Sequence, residues 1–213
     1  MSVSGRWLPA SGVLAAASLA LTGLISPPPP IAGAPAADIS TYYALHRAGL
    51  EIESLADGIG VMLLVVFAAT LHARIGSVPS LTAFTASAIV AASTLAQVAA
   101  FHALAFRPNP DPTRAALLND LQSFSFQVTT FPTLLFLGAA SAAILGSAAL
   151  PRWLGFAAAA GAALQPVAWI SFFAPSGLLA AGALPDIVAF AALLAWLTAA
   201  SVTMVATSRS GRE

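Results

Sequence analysis

The chain has 213 residues, of which 59% are hydrophobic and only 8% charged, and its formal net charge is +0; soluble proteins carry about 25% charged residues. The absence of Cys excludes disulfides, thiolate metal ligands and Cys nucleophiles. All basic residues are Arg and no block of like charges occurs. Nucleic-acid binding and polybasic contact with lipid headgroups therefore have no electrostatic basis.

The hydrophobic residues gather into six long stretches: Leu8–Ile25, Leu55–Leu71, Leu81–Phe106, Val128–Leu150, Leu154–Phe173 and Ile187–Ala206. Each is near the ~20 residues with which an α-helix crosses a ~30 Å hydrocarbon layer. The pattern predicts an all-α polytopic fold, a bundle of six transmembrane helices forming one domain over residues 1–213, with the lipid bilayer as its first partner.

The first stretch is closed by Pro27 to Pro30, which lack N–H donors and favour an extended chain. Arg6, the apolar run and Ala34-Pro35-Ala36 imitate a signal peptide with a small-residue cleavage site. The site lies roughly ten residues past the run, beyond the prolines, so a retained span is the reading preferred. Asp38 is then expected to N-cap a helix through Tyr42, Tyr43, His46, Arg47 and Leu50 that leads into the second span.

A tight turn over His72–Ser80 leads to the third span, after which Pro108, Pro110 and Pro112 mark a longer connection. Asp111 is the expected N-cap of the next helix, with Pro112 at its first position. The second and fourth spans are thus expected to extend past the membrane by about 15 residues, roughly 22 Å. These extensions hold most of the acidic residues, either as solvated helix ends or as a cap over an outward-facing pocket. Pro151-Arg152-Trp153 makes the next turn, and Pro175 and Pro185 bracket the last long connection. Pro132 and Pro166 fall inside spans and predict kinks. Gly138, Ala142 and Gly146, and Ala157 and Gly161, form rows of small residues expected to pack helices closely within the chain.

Arg placement gives the orientation. With both termini inside, the inner segments hold Arg6, Arg74, Arg152, Arg209 and Arg212, and the outer ones Arg47, Arg107 and Arg114. The inner connections are also the short ones, where the positive-inside rule acts most strongly. A plasma-membrane protein with cytoplasmic N- and C-termini is expected.

Ionisable groups inside a bilayer are costly and mark candidate sites. Asp57 sits about a turn inside the outer boundary of the second span, with Glu53 four residues earlier on the same face. Two carboxylates so placed repel, which suits proton exchange or acid–base work. His102 lies at similar depth on the antiparallel third span and is expected to face Asp57. Gln127 and Gln165 are on the outer side of the midplane, where amides hydrogen-bond neighbouring helices. Glu53, Asp57, His102, Gln127 and Gln165 are the candidate ligand-binding residues. The three His, His46, His72 and His102, show no metal or haem spacing, so no metal and no cofactor are expected. No nucleophile elbow or Walker loop occurs.

Leu150-Pro151-Arg152-Trp153-Leu154-Gly155 resembles the inner turn of actinobacterial integral membrane proteins grouped as the domain of unknown function numbered 4386. The Phe131-Pro132 pair and a terminal span like that around Trp196 add to the resemblance, which is best over Ser123–Val205. It implies fold and membrane location, and brings no activity or catalytic residue. The function expected is a non-enzymatic plasma-membrane protein binding a small molecule, a lipid or a partner protein in an outward-facing polar pocket. The alternatives are a small transporter or proton-coupled permease, and a membrane enzyme using Glu53, Asp57 and His102 on a lipid or isoprenoid.

Overall fold

The computed structural model describes residues 4–106, 111–174, 177–180 and 183–210, and no strand occurs among them. Six α-helices follow in order: α1 (Ser4–Leu21), α2 (Ala36–Ile75), α3 (Val78–Phe106), α4 (Pro112–Leu145), α5 (Arg152–Leu164) and α6 (Leu184–Ser210). A 3₁₀ segment, Gln165–Phe173, continues α5, and a short 3₁₀ turn, Gly177–Leu179, precedes α6. Pro108, Pro110 and Pro175 lie outside the described residues.

Among the described residues, five segments are long and apolar enough to cross a membrane: Ala36–Ile75, Val78–Leu104, Pro112–Leu145, Arg152–Phe173 and Gly177–Thr207. The six stretches read from the sequence therefore correspond to five of full crossing length and one shorter apolar helix, Leu8–Leu21. The first span stops at Leu21 instead of Ile25 because the chain turns there: Leu24 N–H donates to Leu21 O, and Thr22 Oγ1 to Leu19 O. The surface is that of a multi-pass membrane protein. On α4, Leu117, Leu121, Phe124, Val128, Phe131 and Leu135 are all exposed. Their three- and four-residue spacing makes one apolar stripe ~27 Å long at 1.5 Å per residue, close to the thickness of a bilayer's hydrocarbon core.

α2 runs unbroken from the residue after Pro35. Asp38 is consequently in the first turn, where its negative charge faces the helix dipole, and it is not the N-cap. Asp111 does cap α4: its side chain accepts the Arg114 N–H at 3.0 Å, with Pro112 just inside the helix. Gly76 ends α2 in the left-handed region at φ 67, which glycine enters without a Cβ penalty. α4 stops at Leu145, earlier than Leu150: Gly146 caps it with its N–H on Ala142 O, and Pro151 keeps Leu150 from helical geometry. Pro151 then starts α5, leaving Arg152 and Trp153 exposed.

α1 lies against α2 and α6, α3 packs on α2 and α4, and α5 joins α4 to α6. Phe67, Phe136 and Trp196 centre the main core. Trp196 meets Phe67 and Phe136 edge to face at 5.9 and 5.6 Å between centroids, and its Nε1 donates to Leu154 O at 3.0 Å. α1 approaches α2 closely because a Cβ on Gly60 would lie 2.7 Å from Leu19 Cγ. Gly161 packs on Leu137 as its small-residue row predicts. The other row does not behave so: nothing lies within 4 Å of a Cβ on Gly138, and Ala142 and Gly146 are exposed. That face of α4 leaves its small residues open, while Ala139, Ala140 and Ala143 beside them are buried.

A second core stands at the other end of α2. Ile39, Tyr43 and Leu50 pack with Leu104 of α3 and Ala115 of α4. Tyr43 Oη donates to Asn119 Oδ1 at 3.2 Å, and Asn119 Nδ2 to Pro30 O at 3.1 Å. Tyr42 Oη donates to Pro27 O at 2.6 Å, and Asp120 Oδ1 accepts Gly33 N–H at 2.9 Å. The helix ends thus clasp the proline segment, whose carbonyls have no helical donors of their own.

Candidate functional site

Beneath this second core is a cavity of about 210 Å³, well above the ~10–15 Å³ that admits one water. Every helix except α5 supplies part of its wall, and Gln165 supplies the part beyond α5. Glu53 and Asp57 enter from α2, Thr94 and Gln97 from α3, and Gln122, Thr129, Thr130 and Thr133 from α4. Phe101, Phe126 and Phe190 contribute aromatic walls.

Glu53 and Asp57 are one helical turn apart and so share a face of α2. Glu53 is only 4% exposed. Its Oε1 accepts the Ser26 N–H at 2.8 Å, so the carboxylate also pins the chain as it leaves α1. A Cβ on the nearby Gly49 would lie 2.5 Å from Ser26 Oγ; glycine there lets the leaving chain sit against α2. Asp57 is half-buried and makes no hydrogen bond or ion pair with any described residue.

Gln165 is placed by the helix change it initiates. Its own N–H bonds to Ala162 O, one residue short of the α-helical acceptor, Gly161 O. The stranded Gly161 carbonyl is taken up by Gln165 Nε2 at 3.2 Å, and the same nitrogen donates to Ala189 O on α6 at 3.0 Å. Pro166, next in sequence, has no N–H to continue the α pattern, and the nine-residue 3₁₀ run follows. Such runs are seldom longer than 3–4 residues. The kink expected from Pro166 is thus a change of helix type.

The other two candidates are elsewhere. His102 is exposed on α3, beside Phe106 at 6.4 Å between rings, and does not line the cavity. No hydrogen bond or ion pair joins it to Asp57 among the described residues. Matched depth was insufficient because the two side chains leave their helices in different directions: Phe101 and Val98 turn inward and His102 outward. Gln127 is fully buried on α4 but is not part of the cavity wall, and neither amide atom has a hydrogen-bond partner among the described residues.

The threonines were missed by the sequence reading. Thr129 and Thr133 are four apart on α4, a spacing that puts both hydroxyls on one face. Thr130 also accepts the Trp169 Nε1–H at 2.8 Å, and Trp169 stacks on Phe131 with centroids 4.5 Å apart. This contact fixes the 3₁₀ segment to α4.

No protein-family model matches the chain, and no curated protein or solved structure is significantly similar to it.

Proposed function

We propose that this is a plasma-membrane protein of six spans, both termini cytoplasmic, that binds a small molecule in the cavity between Glu53, Asp57 and Gln165. The observation carrying the reading is the cavity itself, a partly open hollow in a lipid-exposed bundle with two carboxyls on one wall. Ligand sites are concave, largely apolar and furnished with a few convergent polar groups, and this cavity has that composition. The packed ends of α2 and α4 act as its outer cap, in keeping with Arg placement. α1, although short, serves as the sixth span: it packs on α2 and α6 and is bonded to Ser201. The exposed Arg152 and Trp153 are suited to anchor the chain at the inner surface.

A small transporter is the second reading, favoured by one feature. The fifth crossing segment changes from α to 3₁₀ at Gln165, on the cavity wall, and interrupted helices at a midplane site are the mark of many transporters.

The chain has no Cys, so single cysteines report on access without background. Gln97→Cys should react in whole cells with a small membrane-impermeant thiol reagent, and adding Thr133→Phe, which fills the cavity, should suppress that reaction. No reaction at Gln97→Cys, or reaction untouched by filling, would overturn the outward-facing cavity. A C-terminal phosphatase fusion active outside the cell would overturn the orientation.

A further inference from the structure

The charged groups around the cavity are two carboxyls, and the neutral polar ones are threonines and glutamines. Thr22, Thr129, Thr130 and Thr133 each direct the hydroxyl hydrogen to a carbonyl of their own helix, at 2.6, 2.9, 2.6 and 2.8 Å. A hydroxyl has a single hydrogen to give, so the oxygens of Thr22, Thr129 and Thr133 keep an acceptor side, while that of Thr130 already takes the Trp169 Nε1–H. Gln165 is 2% exposed, and its Nε2 is committed to two backbone carbonyls. Its Oε1 receives no hydrogen bond among the described residues, which leaves an acceptor without a donor in the cavity wall. Asp57 is in the same position, and the lining contains no Arg or His. Arg47, on the α2 extension, is paired with Glu51 at 2.9 Å, and His46 is held against Tyr42 at 4.9 Å between rings; neither lines the cavity.

A pocket with two carboxyls, threonine acceptors and no cationic side chain calls for a ligand that brings positive charge and N–H groups; the amides of Gln97 and Gln122 can turn either end to it. From this we infer that the cavity takes a small organic cation of the ammonium type. The cation would sit between Glu53 and Asp57 and donate to Gln165 Oε1 and the threonine oxygens. Charge-assisted hydrogen bonds of this type are the strong ones. The rings of Phe101, Phe126 and Phe190 complete the match, since aromatic faces attract cations. The space is far larger than a bare metal ion needs, and two carboxylates fall short of the 6–8 oxygen ligands, rich in carboxylates, that Ca²⁺ takes.

The inference rests on the cavity being a binding site, and the test separates the two. Purified full-length protein in lipid nanodiscs is titrated by calorimetry with three probes of one size: n-butylammonium, 1-butanol and butyrate. The expected result is binding of n-butylammonium at least tenfold tighter than 1-butanol, no binding of butyrate, and at least tenfold weakening in Asp57→Asn. Equal binding of 1-butanol, or preference for butyrate, overturns the cation assignment and leaves the cavity as a binding site. Binding of none of the three while Gln97→Cys is still labelled from outside also overturns the assignment alone. Loss of both binding and labelling removes the cavity reading as well. Because the three probes are compared on the unaltered protein, the result does not hinge on whether Asp57→Asn folds.

Discussion

The hydroxyl of Ser201 on α6 bridges Pro9 O and Val13 N of α1, donating to the carbonyl and accepting the Val13 N–H at 3.1 Å. Pro9 and Val13 are four apart and would normally bond each other. A side chain from the far end of the sequence is therefore inserted into the ladder of α1, a recognised cause of helix bending. It fixes the first helix to the last.

Gly12 makes this contact accessible. A Cβ there would lie 2.6 Å from the Phe67 ring and 3.0 Å from Ser201 Cβ. Ser201→Ala should lower stability by ~0.5–1.5 kcal/mol, the range of hydrogen bonds between membrane helices. Gly12→Ala should cost more, ~1–3 kcal/mol, by overpacking. Thermal unfolding in detergent orders the two, and a Gly12→Ala protein as stable as the wild type would show that α1 does not dock this way.

Gln165 provides a second stability test. Gln165→Leu removes both donors of Nε2, strands Gly161 O and frees α6 at Ala189. The loss should be ~1–2 kcal/mol, since a carbonyl left unbonded away from water has its full desolvation cost. Gln165→Glu keeps the shape and the acceptors but not the donors, and should be equally unstable. A stable Gln165→Glu protein would mean that the amide nitrogen is not what holds the 3₁₀ segment to α6.

The proposed outer cap can be tested by periodic access. Tyr43 is 1% exposed and Leu45, two residues on, 74% exposed. Cysteines at these positions should differ by at least about tenfold in labelling rate, as expected where adjacent helix faces are core and surface. Uniform fast labelling across residues 39–50 would mean that the second core does not form. Removing the clasp should loosen the same segment: Asn119→Leu, which loses the bonds to both Tyr43 and Pro30, should cost ~1–3 kcal/mol and speed labelling at Tyr43→Cys.

Much of this fold was legible because apolar run length and proline position are local signals. The unbroken α2 and α4, the Asp111 cap and the turn at Pro151 all follow from residues within a few places of the feature. The length of the first helix was overestimated because hydropathy does not register the turn at Thr22 and Leu24. Pro166 signalled a disturbance, but that Gln165 would answer it with its own side chain depends on α6 being adjacent. The two carboxyls of the cavity were identified by their cost in lipid. Its threonines were not, because Thr hydroxyls satisfied by their own helix cost little and leave no mark in composition. Residue depth along a span is likewise readable, whereas its azimuth around the helix depends on how the bundle packs.

His102 is where azimuth decides the outcome. An Asp57–His102 pair would make the single substitutions worse than the double one, because a lone buried charge would remain. The structure instead puts His102 on the exposed face of α3 and Asp57 at the cavity, with no bond between them. His102→Gln should therefore change stability by no more than ~0.5 kcal/mol, as for surface substitutions away from special features. Asp57→Asn should leave stability unchanged or raise it, because it removes a carboxyl that has no partner and adjoins Glu53. The two effects should add to within ~0.5 kcal/mol in a double-mutant cycle, measured by thermal unfolding in detergent without added amines. A coupling energy above ~1 kcal/mol would bring the two side chains together and redraw the cavity wall.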